Sequence, residues 1–135
     1  MDTGLNSLVA IARFHQLPAE PEQLAHELGQ QGEDFTYTDI LRAAKALTLK
    51  AKHLSPSLSE LKSAMLPAIA KAQDGSYFIL ARIAEDKEDE ASGITNVLVH
   101  DLRDDAPSTF SVEEFAMLWS LAPLLRYKQE SIRER

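Results

Sequence analysis

The sequence predicts an α+β domain in which N-terminal helices pack on a C-terminal antiparallel sheet. Three observations carry this. Apolar residues recur at helical spacing up to Leu47, as in Leu5, Leu8, Val9 and Ala12. After Leu47 the alternation shortens to a period of two. Asp74-Gly75 then stands between two apolar runs, the pattern of a tight hairpin. The 135 residues suffice for one domain with its own core and are too few for two.

The first helix starts from the Asp2-Thr3-Gly4 turn and ends at Gln16-Leu17-Pro18, because the residue before a proline is pushed out of the helical region. A second, short helix is expected from Pro21 to Leu28. Pro21 suits its first turn, acidic residues suit its positive end and Gly29 suits its C-terminus. After a polar loop, Thr36 or Thr38 can cap a third helix whose inner face is Ile40, Leu41, Ala44 and Leu47. Leu49 to Leu54 alternates as an edge strand. Ser57-Leu58-Ser59-Glu60 has capping-box spacing and predicts one or two helical turns reaching Ala64.

The strands Leu66–Ala72 and Tyr77–Ala84 are expected to flank the hairpin turn, and residues 85–93 to form a solvated acidic loop. Thr95 to Asp101 reads as a strand with Val97 and Val99 on one face and Leu98 and His100 on the other. Ser111-Val112-Glu113-Glu114 is a second capping box, opening a helix that carries Phe115, Leu118 and Trp119. Leu121 to Tyr127 can return as a last strand, with Pro123 confining it to an edge or a strand start. The folded domain is therefore expected over residues 1–127, with 128–135 as a charged linker.

Composition excludes several classes of function. The formal net charge of −7 opposes a phosphate backbone, so nucleic acid is not an expected partner. The absence of cysteine removes disulfides and thiolate metal sites, and fits a reducing compartment. No segment has the form of a signal peptide, and the longest apolar runs fall short of the roughly 20 residues of a membrane helix. His15, His26, His53 and His100 lack metal-site spacing and read as helix-end or surface residues. Neighbouring strand positions face opposite ways, so His100 and Asp101 do not form a pair. Ser76 reads as a turn residue, and the acidic run after Glu85 lacks the pattern of a calcium loop. Trp119 and Phe115 read as core. No G-x-x-x-x-G-K-[ST] segment occurs, so no cofactor or metal is expected in this domain.

Several stretches together resemble one family. They are Asp2-Thr3-Gly4-Leu5 with its helix, Thr38-Asp39-Ile40-Leu41-Arg42-Ala43-Ala44-Lys45 followed by Leu49-Lys50-Ala51-Lys52, Leu66-Pro67-Ala68-Ile69 leading to Asp74-Gly75-Ser76-Tyr77-Phe78-Ile79-Leu80, and Val99-His100-Asp101-Leu102. In this order they resemble the papain-like, bacteriocin-processing peptidase domain at the N-terminus of certain ABC exporters. The nearest likeness is to the branch found in type I secretion exporters of repeat toxins and large adhesins.

The resemblance implies a papain-like fold and a set of catalytic positions. The nucleophilic cysteine of active members falls on Thr3, the base histidine on Tyr77 and the orienting aspartate on Asp101. The oxyanion glutamine falls ahead of residue 1. A thiolate peptidase needs its thiol, and a phenol with pKa about 10 is a poor base near neutrality. The expectation is a domain without catalytic residues, retaining Asp101 either for its old chemistry or for a turn. The resemblance further implies an unfolded protein cargo, a repeat toxin or adhesin, contacted near Tyr77 and Ser76. It implies a dimeric exporter whose own transmembrane and ATPase parts bind ATP and Mg²⁺, and a place on the cytoplasmic side of the bacterial inner membrane. The alternatives are a residual or altered peptidase using Thr3 or Ser76, and a structural or regulatory domain packed on the exporter.

Overall fold

A computed structural model describes residues 2–29, 35–62, 65–85, 94–120 and 124–129. Helix α1 (Thr3–Phe14) is followed by α2 (Pro21–Glu27) and α3 (Tyr37–Ala46). Strand β1 (Leu49–Leu54), a single 3-10 turn (Leu58–Glu60), β2 (Ala68–Lys71), β3 (Tyr77–Glu85), β4 (Ile94–His100) and β5 (Ser108–Ser111) come next. Helix α4 (Val112–Leu118) and β6 (Leu124–Gln129) complete the order. This is the expected α+β arrangement.

The six strands form one sheet in the order β1-β6-β2-β3-β4-β5, and every neighbouring pair is antiparallel. One apolar cluster lies between the sheet and the first three helices and includes Leu8, Ile11, Ile40, Ile69, Ile79 and Leu125. A second cluster on the opposite face gathers Phe78, Leu80, Val97, Phe115, Trp119 and Leu124. There Phe115 stacks on Trp119 at 5.6 Å and meets Phe78 edge-on at 6.1 Å.

Local chemistry sets the helix ends. Asp2 caps α1, accepting the Leu5 N–H at 3.0 Å. Thr36, not Thr38, caps α3, and Asp39 completes a capping box. Gly29 follows α2 at φ +74°, a conformation that glycine adopts without strain. The inner face of α3 is Ile40, Ala43 and Ala44, while Leu41 and Leu47 lie at its margin.

Several expectations need correction. The turn after Ser57 closes at Glu60, and Ala64 lies outside the described residues. β2 starts at Ala68 and not at Leu66, since Pro67 has no N–H to give to a ladder. β5 was not expected: four residues, Ser108-Thr109-Phe110-Ser111, are too short and polar to show a period. β6 is not an edge strand, because it lies between β1 and β2. Its start at Leu124 agrees with the other placement expected for a strand after Pro123. β6 pairs with β1 through Gln129, two residues beyond the expected limit at 127. The acidic run after Glu85 lies outside the described residues.

Candidate functional site

The N-terminus of α1 and the first residue of β3 meet in the interior. Thr3 and Tyr77 are both buried, and the Tyr77 backbone N–H donates to Thr3 Oγ1 at 2.9 Å. The Asp-Gly turn makes this contact possible by delivering β3 directly beneath the start of the helix. Gly75 sits in that turn at φ +90°, where a side chain would be strained. The Tyr77 ring passes close under Gly4. A Cβ on Gly4 would lie 3.3 Å from Tyr77 Cδ2 and 2.9 Å from Ile40 Cδ1. Burial pushes the Tyr77 phenol above its ordinary pKa, so it is no base at neutral pH.

Asp101 lies just past the end of β4 and does not reach Thr3 or Tyr77 by any hydrogen bond among the described residues. Its carboxylate is taken by Arg103. The Arg103 Nη2 donates to Oδ2 at 2.6 Å, Nε donates to Oδ1 at 3.0 Å, and the Arg103 backbone N–H also donates to Oδ1 at 3.0 Å. The guanidinium holds the Asp101 carboxyl below the usual carboxylate range. The turn role anticipated for Asp101 is therefore the one its hydrogen bonds serve.

Arg103 also ties two loops together. Its Nη2 donates to Ser76 Oγ at 3.2 Å and lies 3.8 Å from Asp74 Oδ2. Ser76 in turn donates from both its hydroxyl (2.6 Å) and its N–H (2.9 Å) to Asp74 Oδ1, which lowers the Asp74 pKa. Ser76 is thus a turn residue. Sequence reading missed Arg103; the available trace was an Asp-x-Arg spacing in a polar turn after a strand, which is common in solvated loops.

These groups surround a cavity of about 270 Å³, lined by Asp2, Thr3, Ser76, Tyr77 and Arg103 among others. Asp2 is committed to structure, accepting the Leu5 N–H on one oxygen and the Phe35 N–H at 2.9 Å on the other. The site brings together two of the three sequence-predicted positions, Thr3 and Tyr77, with Ser76 nearby, and leaves Asp101 one residue removed behind Arg103.

The pattern of the peptidase C39 family matches residues 1–131. The chain belongs to that family. The C39 domain is 38% identical over 114 residues to the leukotoxin translocation ATP-binding protein LktB of Pasteurella haemolytica-like sp. (strain 5943B), an overlap of 84% of this chain and 15% of that protein. It is 34% identical over 114 residues to LktB of Mannheimia haemolytica, with the same shares of each chain. The chain therefore spans about 15% of the length of these curated relatives.

Among solved structures, the N-terminal peptidase C39-like domain of the toxin secretion ATP-binding protein from Vibrio parahaemolyticus superposes with a TM-score of 0.78 at 24% identity, covering 96% of this chain and 98% of that one. The peptidase domain of Streptococcus ComA, a bifunctional ABC transporter, superposes with a TM-score of 0.76 at 15% identity, covering 96% and 92%. A double glycine motif protease from an AMS/PCAT transporter, in complex with its leader peptide, gives 0.75 at 19%, covering 95% and 84%. These likenesses establish the C39 fold for the helices and sheet described above. Among the described residues no helix is long and apolar enough to cross a membrane.

Proposed function

We propose that this C39 domain binds an extended segment of an exported polypeptide without cutting it, as the N-terminal part of a type I secretion ABC exporter. The hydrogen bond between the Tyr77 N–H and Thr3 Oγ1 carries the reading. It engages the hydroxyl at the nucleophile position with a backbone donor in place of a base. The chain has no cysteine to supply a thiolate, and the nearest ring, Tyr77, is a phenol held protonated by burial. Asp101 is bound to a guanidinium and orients no base. The cavity beside these residues remains, with hydrogen-bonding groups on its walls, and can hold a peptide that it cannot hydrolyse.

The relatives support the setting. LktB is by name a leukotoxin translocation ATP-binding protein, and the AMS/PCAT protease carries a leader peptide on the same fold. In this setting the cargo is an unfolded repeat toxin or adhesin, met on the cytoplasmic side of the inner membrane. ATP and Mg²⁺ then belong to the ATPase part of a dimeric exporter.

The test is an NMR titration of the domain with the calcium-free, unfolded C-terminal repeats of a secreted repeat toxin, run beside a cleavage assay. The expected result is a contiguous set of shifts around Thr3, Ser76, Tyr77 and Arg103 that disappears when calcium folds the cargo, with the peptide left intact. Cleavage that is lost on Thr3→Ala would establish an altered peptidase. A flat titration would assign the domain to packing against the exporter itself.

A further inference from the structure

A second surface, separate from the cleft, carries charge against the trend of the whole molecule. The chain has 14 Lys and Arg against 21 Asp and Glu. Yet the β1–β6 ladder places cations opposite one another: Lys52 pairs with Arg126, and Lys50 stands opposite Lys128 in the register. Lys50 and Lys52 are exposed and Arg126 is half-buried. Among the described residues none of these three forms an ion pair. Like charges placed directly across an antiparallel pair are destabilising.

Lysines on an edge strand are a common guard against unwanted pairing. That accounts for Lys50 and Lys52, since β1 is the edge of the sheet. It does not account for Arg126, because β6 is an interior strand with partners on both sides and needs no guard. The cost of the like-charge row is therefore unexplained by the fold alone.

Two more features lie with the row. The outer edge of β1 pairs with no strand among the described residues, leaving backbone donors and acceptors of Leu49–Leu54 facing outward. At the end of β1 a groove of about 440 Å³ is lined by Leu54, Pro56, Met65 and Lys62, with Ser55 and Glu60. The Glu60 carboxylate is already engaged, accepting the Ser57 N–H at 2.7 Å.

We propose that the β1 edge, with Lys50, Lys52 and Arg126, docks an extended acidic polypeptide segment by strand addition. The ladder supplies the hydrogen bonds, the cation row selects for carboxylates at alternate positions, and the groove at Leu54 and Met65 accepts an apolar side chain. No residue of the row lines the cleft, so this surface can act whether or not the cleft binds peptide.

The probe is a synthetic peptide of alternating valine and aspartate residues, titrated into the isotope-labelled 135-residue chain. Amide shifts are expected to centre on Leu49–Leu54. Affinity should fall about tenfold in the K50E/K52E variant, the size of losing two screened charge contacts. It should fall again when salt is raised, and vanish when a central valine of the peptide is replaced by proline. Both substituted lysines are exposed, so the variant keeps its fold, which its own spectrum reports. Equal binding of a valine–lysine peptide, unchanged affinity in K50E/K52E, or shifts centred on Thr3, Tyr77 and Arg103 would each overturn the proposal. Binding to phosphatidylglycerol vesicles with none to the acidic peptide would also overturn it, and would assign the row to an anionic membrane surface.

Discussion

The Tyr77 backbone N–H reaches across 74 positions of sequence to the Thr3 hydroxyl, 2.9 Å away and buried. One hydrogen bond thereby ties the first turn of α1 to the first residue of β3. It joins the helical layer to the sheet at the point where the cavity opens.

Replacing Thr3 by valine keeps the shape and removes the acceptor, leaving a buried N–H without a partner. The expected loss of stability is about 1–3 kcal/mol in urea unfolding. Thr3→Ser keeps the acceptor and forfeits one methyl group, so it should cost less, about 1 kcal/mol. A valine variant as stable as the parent would mean that the Tyr77 N–H has another acceptor.

Arg103→Ala should lower stability at neutral pH and leave acid stability nearly unchanged. The Asp101 carboxyl is depressed in the folded state, first of all by its hydrogen bond from Arg103. Its contribution is therefore present above the unfolded carboxyl value of about 3.9 and is lost as pH falls through the lower folded value. The parent should exceed the variant by up to about 1 kcal/mol near pH 7, a modest figure because the pair is partly exposed. The two curves should converge as pH drops below about 4. Thermal unfolding at a series of pH values reads this directly, and a gap that persists unchanged in acid would rule out Asp101 as the partner that matters.

Gly4→Ala sets two effects against each other. Alanine in a helix gains about 1 kcal/mol over glycine. The new methyl, however, meets Ile40 Cδ1 at 2.9 Å and the Tyr77 ring at 3.3 Å at a buried position. Overpacking of this kind costs about 1–3 kcal/mol, so a net loss of roughly 1 kcal/mol is expected. Ile40→Val removes the Cδ1 atom. In that background Gly4→Ala should cost less, with a coupling of about 1 kcal/mol in a double-mutant cycle.

Much of this was legible from local chemistry. The Asp2-Thr3-Gly4 turn marked α1, capping residues marked α3 and α4, and Asp74-Gly75 marked the hairpin, because those features depend on neighbours in sequence. Thr3 and Tyr77, singled out through the likeness of their flanking stretches, do meet in the structure. β5 was missed for want of length, and the interior position of β6 for want of any local sign of its partners. Arg103 escaped notice for a different reason. Its significance comes from Ser76 and Asp74, which lie in another loop, and a spacing within one segment carries no trace of that. For Asp101 the sequence left its old chemistry and a turn role equally open, and its hydrogen bonds go to Arg103 two residues on.

The sheet order has a consequence for how the molecule is assembled. β1 finds its neighbour only in β6, the last strand described, and β6 is also what joins β1 to the rest of the sheet. β1 therefore waits on the far end of the chain, and a ribosome must release residue 129 before its ladder with β6 can close. Contacts so distant in sequence slow folding and leave the early segment exposed meanwhile. A shortened chain that stops before Leu124 would lose the seam itself, leaving β1 beside α3 without a strand to pair with while α1 still rests on β3.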